Sequence, residues 1–186
     1  DFKRYTAVYA GLHGIAQGLE QILDVSVLLE KEIPDLQIIF FGDGPTKKEL
    51  IKKAHDLNLS NITFVTAQPK SKIPEILASA NIALVPLKQY IPGAVPSKLY
   101  EAMASGIPVI MIGEGEPFKI VESAKCGFAV KPGNKKNLFK SFKSIINDPK
   151  LRNQFSKNGR SFAVSNFNRK NIYKNFLKFL EKNVNH

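Results

Sequence analysis

The sequence predicts an α/β protein built on a parallel sheet of about six strands with helices on both faces. Short apolar runs recur at regular intervals along the 186 residues, and the stretches between them carry apolar residues at helical spacing. This alternation is typical of a parallel sheet, because the helix after each strand carries the chain back to the end at which that strand began. The next strand then runs in the same direction. With 44% hydrophobic residues, the chain can bury one core of ordinary size.

Each predicted strand is a short, mostly apolar run, which is typical of strands buried on both faces. The runs cover 6–10, 36–41, 62–65, 82–86, 107–112 and 127–130. Ligands of such sheets bind outside the carboxyl ends of the strands. We therefore expect the functional residues in the turns that follow the first four strands.

The helices are predicted from apolar spacing and from their start and stop signals. They cover 17–32, 47–57, 73–79, 97–105, 118–123, 135–147, 151–166 and 169–184. Thr46 and Glu49 have the spacing of a capping box at the start of the second helix. Gly106 follows the fourth helix and ends it.

The net charge of +11 belongs to the C-terminal end of the chain. Residues 131–186 carry fourteen Lys and Arg against Asp148 and Glu181. In the last helix, lysines recur every four residues opposite an apolar face: Lys170, Lys174, Lys178 and Lys182 against Ile172, Phe176, Phe179 and Leu180. We predict that this face packs on the domain and that the lysines are solvated. Attraction to anionic lipid or to nucleic acid is the alternative, although no nucleic-acid-binding motif accompanies the charge.

Several features favour a reduced compartment inside the cell. No apolar run approaches the length that a membrane span needs, and the opening Asp1-Phe2-Lys3-Arg4 is not a signal peptide. An opening without Met suggests an excised piece of a longer protein. Cys126 has no partner for an internal disulfide, and we expect it to be a small reduced core residue.

The segment from Pro96 to Ile110 is the best candidate for a binding site. Ser97 is expected to cap the helix, so that the N–H groups of Ser97, Lys98 and Leu99 face an anion in front of it. Lys98 adds a positive charge, and Glu101 lies one turn further, where it can accept hydrogen bonds from a sugar hydroxyl. Together they suit a nucleotide whose diphosphate and ribose bind side by side.

The first turn, from Gly11 to Gly18, offers three glycines and a histidine before a helix. It allows the backbone to approach a phosphate or sugar, with His13 or Gln17 as hydrogen-bonding groups. A tight turn that needs glycine for its conformation is the alternative. The spacing matches neither the dinucleotide fingerprint nor a P-loop.

Other turns carry weaker signals. The turn 42–45, which contains Gly44, either borders a nucleotide or only joins a strand to a helix, and the turn 66–71 could present backbone groups to a base. Glu114 and Glu116 follow the fifth strand and either reach a ligand or, as is commoner for such acids, are solvated. No residues have metal-ligand spacing, no Ser/His/Asp triad is evident, and catalytic residues are not identified.

Three segments together resemble a known family: Gly42-x-Gly44-Pro45, the strand 82–86, and the run 96–110. They are similar to the C-terminal half of a family 4 glycosyltransferase of the GT-B fold, which transfers sugars with retention of configuration. The first turn and the run 97–101 look most like bacterial WbuB/WcaI-type enzymes of surface-polysaccharide synthesis. The resemblance covers about 6–179. It implies a Rossmann-like nucleotide-sugar domain over 1–166, a packed amphipathic helix over 167–186, and an acceptor domain that this chain lacks.

The resemblance also implies a donor, which would be a UDP-sugar, and no metal or other cofactor. Glu101 would match the second glutamate of the family's E-x7-E motif, and Gly93 stands where the first is expected. Lys98 would supply charge where other members carry Arg and Lys in the first turn. The residues expected at the donor are Gly14, His13, Gln17, Gly44, Pro96, Ser97, Lys98, Leu99, Glu101 and Glu116.

The expected partners are therefore a nucleotide-sugar, the missing domain of the same protein and a lipid-linked acceptor, at the inner face of a bacterial cell membrane. A GT-B-like sugar-nucleotide epimerase is the rival enzyme, and a nucleotide- or polyanion-binding module is the rival without catalysis. We expect this chain alone to bind donor weakly and not to turn it over.

Overall fold

The structure, a computed structural model, describes residues 5–184; the opening Asp1-Phe2-Lys3-Arg4 lies outside the described residues. Six strands form one sheet: β1 (Tyr5–Ala10), β2 (Leu36–Phe41), β3 (Ile62–Val65), β4 (Ile82–Pro86), β5 (Val109–Ile112) and β6 (Gly127–Val130). All pairs are parallel, in the order β3-β2-β1-β4-β5-β6. The predicted fold class is confirmed.

Within residues 5–184, eight helices connect or follow the strands. They are α1 (Glu20–Glu32), α2 (Lys47–Asp56), α3 (Ile73–Ala78), α4 (Ser97–Ala104), α5 (Glu116–Ala124), α6 (Lys135–Asn147), α7 (Pro149–Asn166) and α8 (Arg169–Val184). Single 3₁₀ turns lie at Ile15–Gln17 and Lys70–Lys72. None of the helices in the range 5–184 combines the length and apolar character that crossing a bilayer requires.

The sheet separates two apolar clusters, because successive side chains of a strand point to opposite faces. In β1, Ala7 and Tyr9 join the cluster covered by α1, α2 and α6, whereas Val8 joins the cluster covered by α3, α4 and α5. Residues of α7 contribute to both clusters. Cys126 is a buried free cysteine of the second cluster, as predicted.

Several element boundaries differ from prediction for local reasons. The first helix begins at Glu20 rather than at residue 17, because Gly18 takes a left-handed conformation with φ of 60°. Asp148 caps α7 by accepting a hydrogen bond from the Leu151 N–H, which brings the start forward to Pro149. The fifth strand begins later than predicted, at Val109, and α5 begins earlier, at Glu116.

The capping box predicted at Thr46 is wrong. The Thr46 side chain makes no cap hydrogen bond within α2; its hydroxyl donates instead to the carbonyl of His13 at 2.8 Å. The Thr46 N–H donates to the same carbonyl at 3.1 Å. The start of α2 is therefore tied to the first turn of the chain.

The last helix does not show the packing that the sequence predicts. The side chains of α8 are exposed from Arg169 to Asn183, including Phe176 and Phe179, which are 55% and 62% exposed. Helix α7 is therefore the last element that contributes side chains to the described core, and the apolar face of α8 is exposed.

Candidate functional site

A cleft of about 380 Å³ opens at the carboxyl ends of β1, β2 and β3, in front of α4. Its walls are the first turn, the turn after β2, the loop after β3 and the start of α4. The lining residues are Ala10, Gly11, Leu12, Phe41, Gly42, Asp43, Ala67, Gln68, Lys70, Ile73, Ser97, Lys98 and Glu101. Three of the predicted site residues, Ser97, Lys98 and Glu101, thus meet in one cleft.

The start of α4 differs in detail from prediction. Pro96, extended with ψ of 130°, occupies the N-cap position, and Ser97 is the first helical residue. The Leu99 N–H donates to the Pro96 carbonyl at 3.0 Å, and the Leu99 side chain is fully buried. Among the described residues, the N–H groups of Ser97 and Lys98 have no backbone partner. Two N–H donors rather than three therefore face the cleft.

Lys98 lies half-buried across the floor of the cleft. Its ammonium is 5.5 Å from the centroid of the Tyr9 ring. Burial lowers the pKa of Lys98, and the nearby carboxylate of Glu101 partly offsets that effect. Glu101 is exposed one turn further along α4 and lines the same cleft. The site therefore places a cation and two N–H donors at one end, with a carboxylate beside them.

His13 does not present its ring to the cleft, contrary to expectation. The side chain is fully buried, and its ring centroid lies 5.8 Å from that of Tyr9 and 6.2 Å from that of Phe64. Burial lowers the pKa of His13, and the charge of Lys47 acts in the same direction. Its backbone N–H donates to the carbonyl of Asp43, and its carbonyl accepts hydrogen bonds from the N–H and the hydroxyl of Thr46. His13 therefore joins the first turn to the second.

Gly14, Gln17 and Gly44 also lie outside the cleft lining. A Cβ at Gly14 would stand 2.6 Å from Oε1 of Gln17, so the glutamine folds back onto its own turn. At Gly44 a Cβ would lie 2.5 Å from the His13 carbonyl oxygen. These two glycines permit close packing of the turn and of the neighbouring loop. They contribute to the packing of the loops beside the cleft and do not line the cleft itself.

Glu116 begins α5, beyond the cleft lining, and its Oε2 is buried without a hydrogen-bond partner among the described residues. Gly93, where the resembled family has a glutamate, is exposed, and a Cβ there would meet no atom within 4 Å. The loop around Gly93 therefore has room for a side chain that this sequence does not supply.

Tyr9, Lys70 and Ile73 belong to the site or contact it, although the sequence does not predict them. Lys70 and Ile73 line the cleft from the loop after β3 and the start of α3. Tyr9 is buried and reaches the site through Lys98, a residue 89 positions away, and through the carbonyl of Leu12. A tyrosine within a strand of small and aliphatic residues was the signal that could have singled it out.

A second cleft, of about 470 Å³, lies at the ends of β5 and β6. Its acidic and basic groups neutralise each other: Lys88 pairs with Glu20 at 2.7 Å, and Lys135 with Asp24 at 3.0 Å. Burial favours a raised pKa for Asp24, but hydrogen bonds from Lys53 and Lys135 outweigh it and lower that pKa. Lys131, which also lines this larger cleft, is the exception, since it has no ion pair within residues 5–184. No cluster of three or more metal-binding side chains occurs within residues 5–184.

Comparison with known proteins places these features in context. The family model described as Glycosyl transferases group 1 matches residues 2–162. Sulfoquinovosyl transferase SQD2 of Arabidopsis thaliana is 25% identical over 146 residues, which are 77% of this chain and 28% of that protein. Spore coat protein SA of Bacillus subtilis is 26% identical over 182 residues, or 93% of this chain and 46% of its relative. The chain thus spans less than half the length of these relatives.

A solved structure shows the same fold. HepE of Anabaena, in complex with UDP, superposes with a TM-score of 0.84 at 20% identity. The match covers 96% of this chain and 49% of HepE. HepE has also been solved in complex with UDP-glucose.

Proposed function

Because the chain belongs to the group 1 family of glycosyl transferases, we propose that the cleft in front of α4 binds the nucleotide diphosphate of a sugar donor. One observation carries the proposal: the N–H groups of Ser97 and Lys98, the Lys98 ammonium and the Glu101 carboxylate share one cleft. N–H donors at a helix start and a lysine suit phosphate oxygens, while a carboxylate accepts hydrogen bonds from ribose hydroxyls.

The chemistry of the donor end follows from the same groups. When the glycosidic bond to the donor phosphate breaks, negative charge grows on the departing diphosphate. The start of α4 and the Lys98 ammonium lie where they stabilise that charge without reorganising. Half-burial of Lys98 strengthens its attraction to an anion, because less water screens it.

We extend the proposal to a UDP-sugar as donor, since HepE is seen with UDP and UDP-glucose. For the whole protein we propose a retaining transfer of a hexosyl or N-acetylhexosaminyl group, of the family 4, WbuB/WcaI type. The acceptor would be a lipid-linked precursor of bacterial surface polysaccharide or lipopolysaccharide. The transfer would take place in the cytoplasm, with the enzyme peripheral to the inner face of the membrane. The motifs of the sequence resemblance support this part.

The test is a thermal-shift screen of the 186-residue chain against UDP, GDP, ADP, uridine, and heparin as a polyanion. A ligand that binds only the folded state at about 100 times its Kd adds about 2.7 kcal/mol to the free energy of unfolding. We expect UDP to raise Tm more than uridine does. A chain stabilised by heparin alone, with no nucleoside diphosphate effective, would be a polyanion-binding module, and the proposal would be rejected.

An epimerase is distinguished by its substrate requirement. The whole protein would convert a free UDP-sugar to its epimer without any acceptor, whereas the proposed transferase leaves the sugar configuration of the free donor unchanged. Nuclear magnetic resonance of UDP-glucose and UDP-N-acetylglucosamine incubated with the enzyme reports the difference directly.

A further inference from the structure

Tyr9 is a fully buried aromatic residue one position before the end of β1. Its ring centroid lies 6.2 Å from that of Phe40 and 5.8 Å from that of His13, so the core fixes the ring in place. Its hydroxyl donates a hydrogen bond to the carbonyl of Leu12 in the first turn. Tyr9 is thus anchored both to the core and to the loop that borders the cleft.

The Lys98 side chain runs over this ring. Its ammonium is 5.5 Å from the ring centroid, and no hydrogen bond or ion pair holds it among residues 5–184. The route passes directly above Gly11, where a Cβ would stand 2.1 Å from Cε and 2.5 Å from Nζ of the lysine. The absence of a side chain at Gly11 therefore lets the ammonium lie against Tyr9.

A lysine that lacks a fixed partner loses side-chain freedom when it binds an anion, at a cost of up to about 2 kcal/mol. An aromatic face beneath the ammonium restricts that freedom beforehand and attracts the cation through the ring quadrupole. The contact leaves the N–H bonds of the ammonium available to phosphate oxygens in the cleft.

We propose that Tyr9 is a positioning residue for the diphosphate: its ring, held in place by the core, keeps the Lys98 ammonium ready for the anion. The inference rests on the proposed function and deepens it, because it assigns a role to a residue that lies outside the cleft lining.

A double-mutant cycle on the 186-residue chain tests the role. UDP and uridine affinities are measured by calorimetry and by chemical-shift titration for wild type, Tyr9→Leu, Lys98→Ala and the double variant. We expect Tyr9→Leu to weaken UDP binding about two- to fivefold, the range of a cation–π contact, and to leave uridine binding unchanged. In the Lys98→Ala background, Tyr9→Leu should have no further effect on UDP.

Tyr9→Phe is the matched variant, since it keeps the ring and removes only the hydroxyl. We expect its UDP affinity to stay within about twofold of wild type, a change below ~0.5 kcal/mol. Ring currents give a readout that needs no stable Tyr9→Leu protein: the Lys98 ε-methylene protons should be shifted upfield in wild type and in Tyr9→Phe.

Three outcomes would overturn the inference: unshifted ε-methylene protons in the wild type, equal losses of UDP and uridine affinity in Tyr9→Leu, or additive effects of the Tyr9 and Lys98 substitutions. A wild-type chain that binds no nucleoside diphosphate at all is a different result. It rejects the proposed function itself.

Discussion

Lys98 is the side chain on which the proposed phosphate site depends most, since it brings the only full positive charge that α4 adds to the cleft. We expect Lys98→Ala to weaken UDP binding about 10- to 150-fold, because a hydrogen bond to a charged group contributes about 1.5–3 kcal/mol. Calorimetry checks this. Lys150→Ala, at an exposed position of α7, removes the same charge away from the cleft and should bind UDP as wild type does. Equal affinities for both variants would exclude Lys98 from the phosphate site.

Glu101 makes the complementary prediction for the ribose. Glu101→Ala should weaken the binding of UDP and of uridine by the same factor, because both ligands carry the ribose hydroxyls that the carboxylate would accept. Lys98→Ala should affect UDP alone. Titration of the two ligands against the two variants separates a ribose contact from a phosphate contact, and a Glu101→Ala loss confined to UDP would contradict the assignment.

His13 makes the stability of the fold depend on pH. Burial lowers its pKa from the ordinary 6.5, so the folded state binds a proton less readily than the unfolded state. The contribution is fully present above about pH 6.5 and is lost as the pH falls through the lower folded value. Urea unfolding at pH 7.5 and 5.5 should show a smaller free energy at pH 5.5. The difference should shrink in His13→Phe and persist in His55→Gln, whose side chain is 89% exposed. A His13 pKa above 6.5, measured by NMR titration, would contradict this prediction.

The sequence predicts some of these residues and not others. It predicts Lys98 and Glu101, because a helix start after an X-Pro step fixes the direction of its first turn and three-residue spacing places both on one side. The orientation of His13 could not be found this way. Gly11 and Gly14, on either side of His13, allow the ring to point either way, and its orientation depends on Phe40 and Phe64, which lie on β2 and β3.

Helix α8 is the element whose environment the sequence mispredicts. Its amphipathic pattern is genuine, yet within residues 5–183 no apolar surface covers it, because α4 and α5 already pack against α7. Periodicity predicts that a face is apolar and is silent about what covers it. Strands, in contrast, were predicted within about two residues, since burial on both faces leaves an unbroken apolar run.

Removal of α8 should therefore leave the domain stable. A chain ending at Asn168 loses only exposed side chains over the described range 169–183, and we expect its Tm to change by less than about 2 °C. Phe155→Ala in α7 is the contrasting variant. That phenylalanine is 9% exposed within the core, and its loss should cost about 3–5 kcal/mol. Scanning calorimetry compares the Tm of the wild type, the truncated chain and Phe155→Ala. A large drop in Tm on truncation would mean that α8 packs on the domain in solution.

At the scale of the molecule, the cleft lies at the carboxyl ends of the strands of a single sheet. The chain spans less than half the length of the relatives described above. We expect the 186-residue chain to bind UDP-glucose without transferring or hydrolysing it, because we propose that its cleft groups bind the donor and not the acceptor. A coupled assay for released UDP measures this. Release that rises with the concentration of this chain would show that the donor half is active alone.

The contact of Lys98 with Gly11 also bears on how the sequences of relatives diverge. Any side chain at position 11 would push the lysine off the Tyr9 ring, and the φ of 149° at Gly11 already disfavours other residues. A substitution at one of these positions removes the reason to keep the others. In an alignment of related chains, glycine, lysine and the aromatic residue should therefore be retained or exchanged together, as a covarying triplet spread over two distant segments.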